Sequence, residues 1–420
     1  MKPAAAVSRS EIAAHAGITF AGLMLSNVLG YVFYALVSRA VGVEAYGAFS
    51  SLVALVLILS APALIAQTVV AKLATDRAFD PARLAGLVVA VERLTLAVSL
   101  TGGLALALLA VPLAAFLHLN DPLLIVLTAL SLCGALALPF LRGVLQGISA
   151  FRAFAFSNVA ENLAKAVLAP ALALAAGLRG ALAGMALAYT AAAVSTFAAG
   201  RPHRAALAQA LSLRGIARTS ATVALAVFAL NLLLLGDVVL AKRYLPAYDA
   251  GLYGAAALAG RALFALLAFI PTVLLPQTAT RSARGQRTRV LFFQAVGVAA
   301  CIGGAVAALY ALAPRFVVTT IAGGSFAGAA PLIPAYGYAV LMLALANIVS
   351  TYNIARGRMR FVAPLALVAM GEITAVVLRH RGPGDLLQTI AVGHSLALLA
   401  TVVSLGRSRP ARETGTTPLQ

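Results

Sequence analysis

The sequence predicts an all-α polytopic membrane protein, with twelve transmembrane helices in two six-helix lobes that repeat in parallel and with both termini cytoplasmic. Three observations carry this prediction: an apolar composition, twelve membrane-length apolar stretches and a one-sided distribution of cations. Of the 420 residues, 62% are hydrophobic and only 10% are charged, whereas soluble domains carry about 25% charged residues. This composition excludes a soluble globular enzyme, and it equally excludes a disordered chain.

The twelve stretches define the elements in order. A helix that crosses ~30 Å of hydrocarbon needs about 20 apolar residues. The stretches that meet this condition cover residues 17–38, 48–71, 86–117, 123–146, 154–176, 181–200, 221–241, 253–280, 290–313, 329–355, 361–378 and 385–406. They are too long for barrel strands and lack the alternation of such strands. The connections between them are mostly short and hold most of the charge, with the longest outer loop expected at about 314–328.

The cations fix the orientation. With the N-terminus inside, 21 of the 31 lysines and arginines fall on inner loops, seven fall outside, and Arg93, Lys165 and Arg261 lie within spans. This bias supports both termini inside. The formal charge of +19 therefore marks topology and contact with anionic membrane lipids, and we expect no nucleic-acid partner.

The two halves repeat. Matching residues keep their order while the offset rises from 204 to 211, in the pairs Asn27–Asn231, Arg39–Arg243, Tyr46–Tyr253, Pro62–Pro271, Gln67–Gln277, Gly147–Gly357 and Glu161–Glu372. Six spans per half insert both halves in the same orientation, as parallel repeats do. We expect an N-terminal lobe at 1–200, a basic cytoplasmic linker at 201–220, a C-terminal lobe at 221–406, a cytoplasmic tail at 407–420 and a cavity between the lobes.

One span carries a polar face. An ionisable group at membrane depth costs about 2.5–3.5 kcal/mol, so such a group is a functional candidate. Asn158, Glu161, Asn162 and Lys165 are spaced i, i+3, i+4, i+7, which places them on one helix face. They either line the cavity or hold helices together through a Glu161–Lys165 salt bridge.

Single charges in other spans are further candidates for a cavity. Asp237 lies deep in the seventh span, although an ion pair with Lys242 is an alternative. Arg261 follows a run of small residues and could face an anionic ligand or snorkel outward. Arg93 lies in an overlong third span, where a position at the membrane interface is the alternative.

Three more polar residues complete the set of candidates. Glu372 is the repeat partner of Glu161 and is expected to serve, with Asp237, as a balancing or coupling carboxylate. Asn27 and Asn347 each belong to a polar stripe, which either lines the cavity or joins helices by hydrogen bonds.

Motifs for catalysis or cofactor binding are missing from the sequence. No Lys follows a Gly and no His precedes a Glu, so neither a P-loop nor an HExxH zinc motif occurs. We expect no cofactor, no metal and no enzyme activity.

Short motifs resemble a known family. The segment Ser38-Arg39-Ala-Val-Gly42-Val-Glu44-Ala-Tyr46-Gly47-Ala-Phe49 is similar to the R-x-L-G-x-x-x-Y-G-x-F opening of the polysaccharide export flippases. Leu141-Arg142-Gly143-Val-Leu-Gln146-Gly147 followed by Phe151, and the segment 323–332, are also similar to that family. These flippases belong to the multidrug/oligosaccharidyl-lipid/polysaccharide superfamily.

The resemblance implies a V-shaped transporter of the bacterial cytoplasmic (inner) membrane. It would move a polyprenyl-pyrophosphate-linked oligosaccharide by alternating access, with Lys165 and Arg261 as cationic cavity groups. A Na⁺- or H⁺-coupled multidrug or metabolite exporter of the same superfamily is the alternative, and a membrane glycosyltransferase or ligase is an alternative of another class. We further expect a monomer that contacts a polysaccharide polymerase or glycosyltransferases.

Overall fold

The computed structural model describes residues 9–77, 80–200 and 214–406 of the chain, which are helical apart from their connecting turns. The helices are α1 (Arg9–Arg77), α2 (Pro81–Leu108), α3 (Ala110–Phe116), α4 (Leu123–Gly147), α5 (Phe151–Gly200), α6 (Arg214–Tyr244), α7 (Ala247–Leu267), α8 (Phe269–Ala283), α9 (Arg289–Leu312), α10 (Pro314–Ile321), α11 (Ile333–Ala355), α12 (Val362–Leu378) and α13 (Pro383–Gly406), with a 3₁₀ segment at Gly324–Leu332.

Helices α1 and α5 each contain two membrane spans. The backbone leaves the helical region at Gly42 (φ 76°) in α1 and at Ala176 and Gly177 (φ 56°) in α5. Both glycines adopt a positive φ that disfavours side chains with a Cβ. Nine helical segments of the described chain are long and apolar enough to cross a membrane. Counting α1 and α5 twice and adding the shorter α12 gives twelve, so the predicted twelve-helix all-α fold is confirmed.

Prolines cause two other breaks in the helices. Helix α2 ends at Leu108 and helix α7 ends at Leu267. Pro112 and Pro271 follow these residues by four positions, and a proline cannot donate a hydrogen bond to the carbonyl four residues before it. The third and eighth predicted spans therefore each consist of two helices, α2–α3 and α7–α8.

Two sequence-based boundaries require correction. The expected outer loop at 314–328 is helical: it contains α10 and the start of the 3₁₀ segment. Helix α6 begins at Arg214, inside the predicted linker 201–220. The remainder of that linker up to 213, residues 1–8 and the tail 407–420 lie outside the described residues.

Helix α1 joins the two lobes. In the N-terminal lobe it packs on α4 and α5, and it also packs on α6 and α7 of the C-terminal lobe. The C-terminal lobe is built around α11, which packs on α13, α9 and α7. We call the end of the bundle that contains Gly42, Gly177 and α10 the outer end, following the cation distribution, and the opposite end the inner end.

Small residues allow the two halves of α5 to pack closely. A methyl group on Gly180 would overlap the carbonyl of Leu172, and one on Gly184 would lie 2.5 Å from the oxygen of Leu168. In a membrane the hydrophobic effect does not drive helices together, so close backbone approach of this kind supplies van der Waals contact.

We expect Gly180→Ala to destabilise the protein by about 1–3 kcal/mol, because overpacking forces the backbone apart. The matched control is Gly304→Ala in α9, where nothing lies within 4 Å of the added methyl group and the better helix propensity of alanine adds up to ~1 kcal/mol. Thermal unfolding of both variants in detergent measures the difference. Equal melting temperatures would contradict the packing described here.

Candidate functional site

A cavity of about 350 Å³ lies between the two lobes. Helices α1, α4 and α5 form one wall, and α6 and α7 form the other. Apolar side chains such as Leu57 and Phe264 surround a limited set of polar ones. The polar residues that line the cavity are Tyr31, Tyr34, Ser60, Arg142, Glu161, Tyr189, Asn231 and Arg261.

Glu161 bridges two buried cations. Its Oε1 lies 2.6 Å from Lys165 Nζ, and its Oε2 lies 2.7 Å from Arg142 Nη2. All three residues are buried. The Lys165 ammonium also packs 4.7 Å from the centroid of the Tyr189 ring. Both sequence interpretations therefore hold in part, because Glu161 lines the cavity while Lys165 lies behind it in a salt bridge.

The sequence counts Arg142 among the inner cations, although the predicted span 123–146 already contains it. It lies within α4, near the end at Gly147, and is buried. Its Nε donates to Ser157 Oγ at 2.9 Å and its Nη2 to the Ser157 carbonyl at 2.8 Å. Ser157 Oγ is in turn 2.6 Å from Thr196 Oγ1, so the guanidinium is fixed against both halves of α5.

Asn162 joins α5 to α1. Its amide donates to Ser26 Oγ at 2.7 Å, and Ser26 Oγ donates to the backbone carbonyl of Asn158 at 2.9 Å. The Asn158 side chain instead donates to the Phe154 carbonyl of its own helix at 2.8 Å. Neither asparagine is among the residues that line the cavity, and the contacts of Asn162 favour the joining of helices over the binding of a ligand.

Arg261 is buried with unused hydrogen-bond donors. Its Nε donates to the Ala257 carbonyl at 3.3 Å, whereas Nη1 and Nη2 have no hydrogen-bond partner. The guanidinium lies 5.3 Å from the centroid of the Tyr34 ring, and Tyr31 donates to the Arg261 carbonyl at 2.8 Å. Leaving charged donors unpaired in a buried site is costly. An anion in the cavity would satisfy them.

Asp237 is held by tyrosines. Its Oδ2 accepts from Tyr253 at 3.0 Å and from Tyr336, while its Oδ1 has no partner. The predicted alternative, an ion pair with Lys242, is not among the ion pairs of the described residues. Asp237 interacts electrostatically with Arg261 but is not among the residues that line the cavity.

Glu372 lies outside the central cavity. It lines a separate groove of about 570 Å³ between α12 and α13, beside the exposed side chains of Leu367 and Val392. His394 Nε2 lies 3.8 Å from Glu372 Oε2. The two ring nitrogens of His394 lie 2.9 and 3.0 Å from backbone carbonyl oxygens. The repeat partner of Glu161 thus has a different environment.

Three remaining candidates are also placed away from the cavity. Asn27 and Arg93 are exposed, and Asn347 is half-buried in α11. In the described part of the chain, no group of three or more His, Cys, Asp or Glu side chains could hold a metal ion.

Sequence reasoning alone misses several residues of the cavity. It does not single out Tyr189 or Arg142 as cavity residues, and it identifies Asn231 only as the repeat partner of Asn27. Tyr31 and Tyr34 share the polar stripe of Asn27, for which the sequence leaves open whether it lines the cavity or joins helices. The repeat could have identified Asn231, because the match with Asn27 pointed to a polar position in α6.

The lobes are closed at the outer end. Arg39 in α1 donates to the carbonyls of Thr320 and Ile321 at the end of α10, at 2.8 and 3.3 Å. Arg243, its repeat partner in α6, lies 2.6 Å from His118 Nε2 just after α3. Each lobe therefore contributes one arginine that contacts the end of a short helix of the other lobe.

Close packing extends this closure. A methyl group on Gly47 would lie 2.8 Å from Gly251 N, and Tyr46 contacts Phe326 edge to face at 5.4 Å. Tyr31 precedes Gly42 by 11 residues, which is about 16 Å along a helix. The cavity is therefore on the inner side of the outer closure.

The amino-acid sequence matches no protein-family model and no curated protein sequence. Solved structures, in contrast, match nearly the whole chain. An inward-facing multidrug resistance MATE family transporter of the MOP superfamily aligns with a TM-score of 0.72 at 13% identity, over 91% of this chain and 94% of that one. The lipid II flippase MurJ in an inward closed conformation aligns with a TM-score of 0.68 at 12% identity, over 92% and 87%.

An outward-facing MATE family transporter of the MOP superfamily aligns less well, with a TM-score of 0.56 at 16% identity, over 92% and 91%. At these identities the likeness establishes the fold. The chain has the twelve-helix fold found in MATE transporters and the lipid II flippase MurJ.

Proposed function

We propose that the chain is a flippase that moves a polyprenyl-pyrophosphate-linked oligosaccharide across the bacterial cytoplasmic membrane by alternating access. The observation that carries this proposal is Arg261, whose two terminal amino groups lack partners beside a cavity between the lobes. Arginine is well suited to phosphate because its planar donors can form paired hydrogen bonds.

The charge balance around the cavity favours an anionic substrate. Arg142, Lys165 and Arg261 supply three positive charges, while Glu161 and Asp237 supply two negative ones, which leaves a net +1. Glu161 is already shared by Arg142 and Lys165. Arg261 is therefore the cation with donors available for a pyrophosphate.

The shape of the site is consistent with a head group whose lipid tail stays in the bilayer. The 350 Å³ cavity is near the lower limit for ligand pockets, so a full oligosaccharide requires the lobes to separate further. Tyr31, Tyr34 and Tyr189 offer rings and hydroxyls to sugars, because aromatic residues with a polar end suit amphipathic ligands. Among the proteins of this fold, MurJ is described as a lipid II flippase.

We expect Arg261→Ala to reduce glycan export at least tenfold, because loss of a charge-assisted hydrogen bond costs about 1.5–3 kcal/mol and 1.4 kcal/mol is a factor of ten. Arg261→Lys, which keeps the charge but not the paired donors, should retain intermediate export. The control is Arg93→Ala, which removes an exposed span arginine. Surface glycan in a deletion strain and membrane levels of each variant are the readouts. Wild-type export by Arg261→Ala would overturn the assignment of the site.

Alternating access requires the outer closure to open. We expect Arg39→Ala with Arg243→Ala to shift the protein towards an outward-open form, because the contacts that these two arginines make between the lobes disappear. The probe is Ser50→Cys in a background without Cys133 and Cys301, since Ser50 is fully buried at the closure. Its labelling by a membrane-impermeant maleimide should rise several-fold.

The matched control removes two outer-end arginines that are exposed, Arg315 and Arg379, and should leave the labelling unchanged. Equal labelling of Ser50→Cys in both backgrounds would show that the arginine contacts do not hold the lobes closed. The same labelling, applied from either side of the membrane, tests the proposed cytoplasmic position of the inner end.

A second candidate is a Na⁺- or H⁺-coupled exporter, and Glu372 in the groove between α12 and α13 favours it. Its buried Oε2 has no hydrogen-bond partner and lies 3.8 Å from His394 Nε2, so this carboxylate is available to take up a proton. If this function is correct, dye efflux should depend on the ion gradient, Glu372→Gln should abolish it, and glycan export should be normal in the deletion strain. Gradient-independent glycan export that Glu372→Gln leaves intact would exclude it.

A further inference from the structure

A second large pocket lies at the inner end of the C-terminal lobe, far from the cavity between the lobes. It measures about 780 Å³ and is bounded by the α8–α9 turn, the end of α11 and the end of α13. The residues that matter for its chemistry are Arg287, Arg289, Phe292, Tyr352, Arg356 and Arg358. Neither the cavity nor the outer closure uses any of them.

The pocket has four arginines and no acidic side chain among its lining residues. The described carboxylates of the C-terminal lobe are elsewhere: Asp249 and Asp385 begin α7 and α13 at the outer end, and the other two are within the spans. Burial and the neighbouring Arg356 guanidinium lower the pKa of Arg358. The described part of the lobe thus concentrates positive charge here without a counter-charge.

Two of the arginines are positioned by neighbouring groups. Arg356 Nη1 donates to Tyr352 Oη at 3.3 Å, and Tyr352 Oη is 2.8 Å from Thr288 Oγ1. Arg358 Nη1 donates to the Leu405 carbonyl at 3.3 Å. These bonds hold the guanidiniums of the α11 end in place and leave most of their five donors free.

Helix α9 adds backbone donors to the same pocket. It begins at Arg289, its preceding residue Thr288 makes no side-chain capping hydrogen bond, and its first turn holds no acidic residue. The first N–H groups of a helix lack partners within the helix. Together with the positive end of the helix dipole they attract anions, so this helix start reinforces the arginines.

The turn after α4 in the N-terminal lobe has the same backbone geometry as the turn after α11, and it contains no arginine. Ala150 N donates to the Leu145 carbonyl at 2.8 Å, as Arg358 N donates to the Asn353 carbonyl at 2.9 Å. Ser149 and Gly357 both have positive φ within these turns. This geometry matches Ser149 with Gly357, two residues away from the Gly147–Gly357 pair that the sequence predicts. The same turn in the N-terminal lobe thus carries Ala150 where the C-terminal lobe has Arg358, and Ile148 where it has Arg356.

We propose that this pocket binds the phosphate groups of an anionic ligand that carries at least two of them. Four guanidiniums and a helix start match a diphosphate better than a single carboxylate, and the volume is within the usual range for ligand pockets. Phosphate of this kind belongs either to a lipid head group or to a soluble phosphorylated molecule. The exposed ring of Phe293 at the rim gives an acyl chain a place to lie. The proposal does not depend on the proposed function, because it concerns a separate pocket.

The test uses the full chain in nanodiscs of neutral lipid. Inorganic pyrophosphate, titrated by calorimetry, probes the soluble source, and cardiolipin, exchanged in and counted by native mass spectrometry, probes the lipid source. We expect Arg356→Ala with Arg358→Ala to weaken binding of at least one probe by tenfold or more. Arg356→Lys with Arg358→Lys should weaken it less, because the charge remains while paired donors are lost.

The matched control is Arg281→Ala with Arg284→Ala, which removes the same charge from the exposed end of α8, outside the pocket. Binding that survives in this control but not in the pocket variant supports the proposal, and the probe that binds identifies the source. An equal loss of probe binding in both double variants would show that binding depends on general surface charge, and this would overturn the proposal. Failure of both probes to bind the wild-type chain would overturn it as well. If the variants melt at the same temperature as the wild-type chain, unfolding is excluded as the cause of weaker binding. The export result for Arg261→Ala does not depend on either outcome, because it concerns the cavity between the lobes.

Discussion

The bridge from Glu161 to Arg142 and Lys165 is the interaction on which the wall of the cavity depends. A single charge at membrane depth is costly, and breaking a buried pair leaves an uncompensated charge worth about 3–5 kcal/mol. One carboxylate accepts from a cation on α4 and a cation on its own helix, so these three groups keep a net charge of +1. Because Arg142 also binds Ser157, the bridge fixes α4 against α5. The cations of the N-terminal wall thus have hydrogen-bond partners, whereas Nη1 and Nη2 of Arg261 on the opposite wall have none.

The two walls therefore differ although the lobes share a fold. Glu372, the repeat partner of Glu161, has a valine rather than a lysine four residues later and pairs with His394 in a lipid-facing groove. Asp237 takes hydroxyl donors instead of cations. The repeat preserves the backbone plan, whereas each lobe balances its buried charge with a different set of partners.

The sequence predicted the number of spans because hydropathy is summed over about twenty residues and tolerates local error. It could not predict which face of a helix meets the cavity, since a shift of one residue turns a side chain by about 100°; Asn27 and Glu372 were misplaced for this reason. The sequence counts Arg142 with the inner cations because it lies near the inner end of the predicted span 123–146, and a count of cations does not show that α4 buries this side chain. In α1 and α5, two spans are joined at a single glycine, Gly42 or Gly177, with helical residues on both sides and no loop between them. Hydropathy cannot distinguish such a junction from a short loop.

The outer closure explains how a small ligand could change the state of so large a molecule. Its polar contacts include arginines bound to backbone carbonyls and to a histidine, mostly exposed to solvent, and the buried Ser38 hydroxyl, which donates to the Ala322 carbonyl at 2.8 Å. Hydrogen bonds of this kind contribute only about 0.5–3 kcal/mol each. Reversing a two-state equilibrium from 1:99 to 99:1 needs about 5.5 kcal/mol of differential binding. Pairing the free donors of Arg261 with a pyrophosphate can supply energy of that order. A closure built from ion pairs shielded from solvent would demand more, so exposed arginine–carbonyl contacts suit the opening of the outer end that the proposed function requires.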